Sequence, residues 1–124
     1  MQIQINSDGI PIYQQIVQQI RHRIVSGILG VGDELPTIRG LAETLRVNPN
    51  TVARAYRELE NEGLVEKRRT TGTFVSQWTQ TLPIAQRRKM LQPEIERVAV
   101  LAAQLQIPIE QVTEMLKKSS GRLS

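Results

Sequence analysis

The sequence has no cysteine. That excludes a disulfide framework, cysteine-ligated zinc and thiol catalysis, and it fits a reducing, cytoplasmic location. His22 is the single histidine and has no Asp/Glu cluster beside it, so no metal site is expected. It reads as a solvated surface residue. Aromatics are scarce at 3%, namely Tyr13, Tyr56, Phe74 and Trp78. The core must therefore be mostly aliphatic, which suits helices. No apolar run approaches the roughly 20 residues that a membrane span needs, so no membrane partner is expected. The opening Met1-Gln2-Ile3-Gln4-Ile5-Asn6 lacks the basic start and apolar stretch of a secretory signal. No carboxylate pair, Ser/His/Asp set, phosphate-binding glycine loop or dinucleotide fingerprint is present. The expectation is a non-enzyme with no cofactor. No internal repeat or low-complexity tract is evident.

What remains is a chain of 124 residues, 40% hydrophobic and 23% charged, with net charge +4. That length suits one domain, or one small domain with an appendage. The positive charge is gathered in two places. Between Thr37 and Arg57 stand Arg39, Arg46, Arg54 and Arg57 against Glu43 alone, and Lys67-Arg68-Arg69 follows. A basic balance hints at a polyanionic partner, and its clustering says more than its size.

Residues 2–5 alternate and read as a short strand or an ordered arm. Ile12, Ile16, Val17, Ile20 and Ile24 recur at helical spacing, so a helix is predicted from about Ile12 to Ser26, with Gly27 ending it. Asp33-Glu34-Leu35-Pro36 is an extended connection. Thr37 caps a second helix carrying Ile38, Leu41, Ala42 and Leu45. Arg46-Val47-Asn48 breaks that helix. Asn48-Pro49 then starts a third, running to about Glu62, with a capping side chain followed by a first-turn proline. Two short helices joined by about three residues form a helix-turn-helix. After Gly63 the period falls to about two. Leu64–Arg68 and Thr73–Ser76 read as a hairpin turned by Thr70-Thr71-Gly72.

The predicted fold is therefore mainly α with a small β-hairpin: a winged helix-turn-helix over residues 1–77, then a two-helix tail. Residues 78–83 read as a hinge, 84–120 as a helical dimerisation domain and 121–124 as disordered. In the tail, Ile84, Leu91, Ile95, Val98, Ala102 and Leu105 follow a heptad-like spacing, with Pro93 either kinking that helix or marking its start. Ile107-Pro108 breaks it, and a last helix carries Ile109, Val112, Met115 and Leu116. The expected dimer face is Leu91, Ile95, Val98, Ala102, Leu105, Val112 and Leu116. Two helices of this length cannot enclose a large effector cavity, so an inducer would have to bind at the dimer interface or beside the winged helix.

The third helix carries the functional signal. Val52, Ala55, Tyr56 and Leu59 share one face; Asn50, Ala53, Arg54 and Arg57 share the opposite one. Asn pairs bidentately with adenine and Arg with guanine, so such a stripe within a helix-turn-helix suits the DNA major groove. Outside that setting the same stripe reads as an ordinary solvated face. Thr37 and Thr51 lie in first turns, where hydroxyls and free N–H groups hold phosphates or simply cap. Arg39 either meets DNA or pairs with Glu43 one turn on. Lys67, Arg68 and Arg69 place cations along phosphates, with Thr71 and Gly72 at the wing tip in the minor groove. The plainer reading of that run is an edge strand kept soluble by charge. The candidate DNA-binding set is Thr37, Arg39, Asn48, Asn50, Thr51, Arg54, Arg57, Lys67, Arg68, Arg69, Thr71 and Gly72.

These residues resemble the GntR family of bacterial transcription regulators, in its short YtrA-type branch. The resemblance rests on Pro11–Ile16, on Gly32–Arg39 with Leu41-Ala42, on Val47–Val52, on Ala55–Glu60 and on Gly72–Val75. It implies a homodimer of winged helices binding double-stranded DNA at an inverted repeat, usually as a repressor. It also implies that Arg39 meets DNA and that Gly72 is the wing-tip glycine. Pro49 and Ala53 stand where longer branches carry arginines, so base reading is expected to fall on Asn50 and Arg54. Thr71-Gly72-Thr73 stands where many relatives have two glycines. Two rivals remain at this point. One is a winged-helix protein-interaction module without specific DNA binding, which an apolar face on the third helix would favour. The other is a fragment of an aminotransferase fusion, which a polar, structureless tail would favour.

Overall fold

The computed structural model describes residues 1–7, 9–68 and 72–123. They form α1 (Ile12–Val25), α2 (Ile38–Leu45), α3 (Pro49–Asn61), β1 (Val65–Arg68), β2 (Gly72–Val75), α4 (Trp78–Thr81), α5 (Ile84–Gln104) and α6 (Ile109–Leu123). The chain divides into two compact units, Met1–Leu82 and Pro83–Ser124.

In the first unit, Ile16, Ile20 and Ile24 of α1, Leu41 and Ala42 of α2, and Val52, Ala55, Tyr56 and Leu59 of α3 form one buried cluster, with α3 packed against both other helices. Each such aliphatic side chain contributes about 1.5–3 kcal/mol on burial. Both caps form as the residue types require. Thr37 Oγ1 accepts from Gly40 N at 2.9 Å and Asn48 Oδ1 from Asn50 N at 2.8 Å. Gly40 is tied to its cap, because a Cβ there would lie 2.8 Å from Thr37 Oγ1. β1 and β2 pair antiparallel with Val65 opposite Val75 and Arg68 opposite Gly72. The segment read as a plain connection joins this sheet. Glu34 bridges Phe74, with Leu35 N donating to Thr73 O and Val75 N to Asp33 O, both at 2.8 Å.

Residues 2–5 form an ordered arm, with no strand pairing. Ile3 enters the core, and two glutamines of α1 supply the hydrogen bonds that a neighbouring strand would. Gln19 bonds both the N–H and the C=O of Gln4, at 3.0 and 2.7 Å. Buried Gln15 does the same for Asn6, at 2.9 Å each.

The segment 78–83, read as a hinge, begins with one helical turn. Trp78 and Leu82 lie four apart, so the single turn of α4 sets both against the first core, with Leu82 N donating to Trp78 O at 3.0 Å. The chain opens only at Leu82, whose ψ of 128° is the extended geometry that a following proline imposes. α5 starts at Ile84 and runs through Pro93, so that proline is not the helix start. α6 continues through Gly121 to Leu123, where disorder is expected from the sequence. Basic Arg122 in its last turn favours the negative end of the helix dipole. Ser124 lies outside the described residues.

The tail also contains a correspondence that sequence inspection passes over. Leu41-Ala42, Leu45, Val47 and Val52 recur as Leu101-Ala102, Leu105, Ile107 and Val112, each sixty residues on. The turns match as well. Arg46 and Gln106 have φ of 57° and 55°, both left-handed. Val47 N donates to Ala42 O at 3.0 Å, and Ile107 N to Ala102 O at 2.9 Å.

Candidate nucleic-acid interface

α3 is held by its apolar face and offers the other. With Val52, Ala55, Tyr56 and Leu59 buried, Asn50, Arg54 and Arg57 are exposed and Ala53 half-exposed, as the spacing predicts. Tyr56 also fixes what lies in front of α3. Its hydroxyl donates to Pro36 O at 2.6 Å, holding the segment that leads into Thr37 and Arg39. Burial pushes the Tyr56 phenol well above its ordinary range, so it remains a donor. Arg21 braces the other end of α3, forming a two-pronged ion pair with Glu62.

A shallow groove of about 420 Å³ runs along the front of α3, lined by Ile12, Tyr13, Asn48, Asn50, Thr51 and Arg54. Four of the residues singled out from the sequence thus meet in one place. Thr37 and Arg39 stand exposed at the start of α2, and among the described residues Arg39 forms no ion pair with Glu43. The hydroxyl of Thr37 and the amide of Asn48 serve as helix caps.

Two arginines rest on aromatic faces. The Arg54 guanidinium lies 3.8 Å from the centroid of the Tyr13 ring. That of Arg68 lies 4.3 Å from the Phe74 ring, with Glu66 at 3.5 Å. Such contacts contribute about 0.5–1 kcal/mol where exposed. Lys67 is exposed on β1 and the Arg68 side chain half-exposed over its ring; Arg69 and Thr71 fall outside the described residues. Gly72 has a structural reason to be glycine. Its φ is +118°, and a Cβ would come within 3.1 Å of the Glu34 carboxylate.

Tyr13, Phe74 and Glu34 are the site neighbours that sequence reasoning missed. The i, i+4 logic that finds helix faces has no reach across separate elements. The scarcity of aromatics was a usable signal, since three of the four lie on or under this surface. Among the described residues no His/Asp/Glu group has metal-binding geometry, and no helix is long and apolar enough to cross a membrane.

A capped helix presented by a three-residue turn, with a basic two-stranded wing beside it, defines a winged helix-turn-helix transcriptional regulator. Comparison with known proteins agrees. The family model "Bacterial regulatory proteins, gntR family" matches residues 12–75. The transcriptional repressor YtrA of Bacillus subtilis (strain 168) is 36% identical over 90% of this chain and 85% of its own length. A GntR family transcriptional regulator from Listeria monocytogenes superimposes with a TM-score of 0.61 at 34% identity, covering 91% of this chain and 98% of that one. The AraR DNA-binding domain, solved in complex with operator ORE1, matches with a TM-score of 0.52 at 27% identity, covering 61% of this chain and 94% of that one. The chain belongs to the gntR family of bacterial regulatory proteins. It is a DNA-binding transcriptional regulator and not an enzyme.

Proposed function

We propose that the protein acts in the cytoplasm as a homodimeric repressor, reading an inverted-repeat operator in double-stranded DNA. The observation that carries this reading is the exposed Asn50–Arg54–Arg57 stripe on a doubly anchored α3. Asn50 and Arg54 read base edges in the major groove. Arg39, Arg57 and the hydroxyls of Thr37 and Thr51 hold phosphates, with the Asn48 cap fixing the helix start. Lys67, Arg68 and Arg69 carry the wing along the backbone, and Thr71 and Gly72 form its tip. The polar face of α3 speaks against a protein-interaction module, and the helical tail against a severed fusion.

The dimer reading is supported by the tail. Leu91, Leu105 and Leu116 are 57–61% exposed, and Ile95 and Val98 lie on the same spacing. Ala102 and Val112, the half-covered members of this set, flank the second turn. In α2–α3 the matching positions belong to the core or pack against it. In the tail a second copy would supply that cover, at about 1.5–3 kcal/mol per buried Leu or Ile. The two α3 helices must then match half-sites about 34 Å apart or a multiple of it. A small-molecule inducer would act by changing that spacing, from the dimer interface or a surface groove.

Selection of bound duplexes from a randomised library tests the reading. An inverted repeat should emerge, with binding that weakens steeply as salt rises. Arg54→Ala should flatten the base preference, and Lys67→Ala should weaken all sequences alike while lowering the salt slope. A chain ended after Leu82, which keeps Trp78 and Leu82 on the core, should be folded and monomeric and should bind the repeat poorly. Sedimentation showing that shortened chain to be dimeric at micromolar concentration would move the interface into the winged helix.

A further inference from the structure

We propose that Tyr13 is a positioning residue for base reading: its ring fixes the Arg54 guanidinium in the orientation that selects one base pair in each half-site. The inference rests on the reading of α3 given above and extends it to a residue on another helix.

Tyr13 is half-buried and packs against the core, so its ring is a fixed platform rather than a mobile side chain. Arg54 is exposed and, among the described residues, pairs with no carboxylate; the ring 3.8 Å away holds it. Stacking uses only the flat face of a guanidinium. The N–H donors lie in its plane and stay free for the two acceptors of a guanine edge. A free arginine must give up side-chain freedom on meeting a base, and a stacked one has already done so. The platform sits at the groove that also holds Asn50, one turn before Arg54 on α3. The Tyr13 hydroxyl accepts from Gln14 Nε2 at 3.2 Å and is not needed for the stack.

The wing offers a contrast within the same molecule. Arg68 also lies over a ring, but Glu66 engages it as well, and its neighbours are wing residues rather than the capped end of a recognition helix. Arg54 is the stacked arginine placed to read a base.

The test uses the full chain and the duplex selected from the randomised library, against the same duplex changed at each base pair. Arg54→Ala should lose roughly 5- to 150-fold in preference at one base pair per half-site, the span of a bidentate arginine–guanine pair. Tyr13→Leu keeps an apolar plug and should lose most of the same preference at the same base pair, with a smaller loss on unselected duplex. Tyr13→Phe keeps the ring and should restore it. The double variant Tyr13→Leu/Arg54→Ala should read no worse than Arg54→Ala alone, because Tyr13 acts through Arg54. Tyr13→Leu retaining full preference overturns the proposal. So does an equal loss on selected and unselected duplexes, a failure of Tyr13→Phe to rescue, or additive losses in the double variant. If Arg54→Ala itself keeps the preference, the reading of α3 falls first and takes this proposal with it. Tyr13→Trp gives a second ring-bearing variant should Tyr13→Leu fail to fold, and it too must keep the preference.

Discussion

The α2–α3 turn and the α5–α6 turn are built alike and left in opposite surroundings. Both place a non-glycine residue at φ near 55°, and both close with an N–H from an apolar residue to an alanine carbonyl. Around the first, Leu41, Val52, Ala55 and Tyr56 are buried; around the second, Leu101, Leu105, Met115 and Leu116 are 57–61% exposed. The outer faces differ too. Asn50 and Arg54 in the first correspond to Glu110 and Glu114 in the second, a change from a surface that attracts phosphate to one that repels it. One turn geometry thus stands in two settings: built into the core it leaves a polar helix face exposed, and outside that core it leaves an aliphatic face exposed.

The sharpest way to break that comparison is a charge at equivalent positions, one fully buried and one half-covered. Val52→Asp should destabilise the first unit by more than about 3 kcal/mol, because Val52 has no exposed surface and the carboxylate would find no partner. Val112→Asp should leave the thermal unfolding of Met1–Leu82 unchanged and shift the chain towards monomer in sedimentation. Equal loss of fold in both would show that the second turn has a core of its own.

Next in size is the outer face. Arg54→Ala should lower operator affinity by about 1–3 kcal/mol, whereas Glu114→Ala should leave it unchanged or slightly raise it. Titration of both variants on one duplex decides this. Smaller again is the Tyr56 anchor, which has only Leu116 as its counterpart. Tyr56→Phe leaves Pro36 O without its donor and should cost about 1–2 kcal/mol in denaturant unfolding. The anchor has a pH signature as well. The folded phenol resists ionisation, so its stabilisation is complete below the ordinary tyrosine value of 10.0 and falls as pH rises beyond it. Tyr56→Phe should flatten that alkaline decline. The smallest effect belongs to the turns themselves. Arg46→Gly and Gln106→Gly each relieve a left-handed residue and should change stability by no more than about 1 kcal/mol, in glycine's favour. A clear loss for either would reveal a side-chain role at that turn.

Much of the first unit was legible in the sequence. The helix predicted over Ile12–Ser26 is observed over Ile12–Val25, and the one predicted to Glu62 ends at Asn61. Caps, first-turn prolines and apolar spacing act within four residues, so they can be read without knowing the fold. The exposed stripe of α3 was legible for the same reason. The α4 turn and the helical end of α6 were not. The first depends on Trp78 and Leu82 finding the core, and polar residues near a chain end carry no periodic signal.

The amino-acid order by itself determined where helices start and stop, which side of α3 is apolar, and that positive charge gathers on α3 and the wing. Those are properties of neighbouring residues on a regular backbone. Only the tertiary structure decided that Gln15 and Gln19 hold the N-terminal arm, that Glu34 joins the wing sheet, that Arg21 reaches Glu62, and that Tyr13 carries Arg54. Each of these joins residues from 9 to 41 positions apart. A hydrogen bond or a ring stack is set by angstrom-scale distance and angle, and no local pattern encodes how two packed elements are rotated against each other.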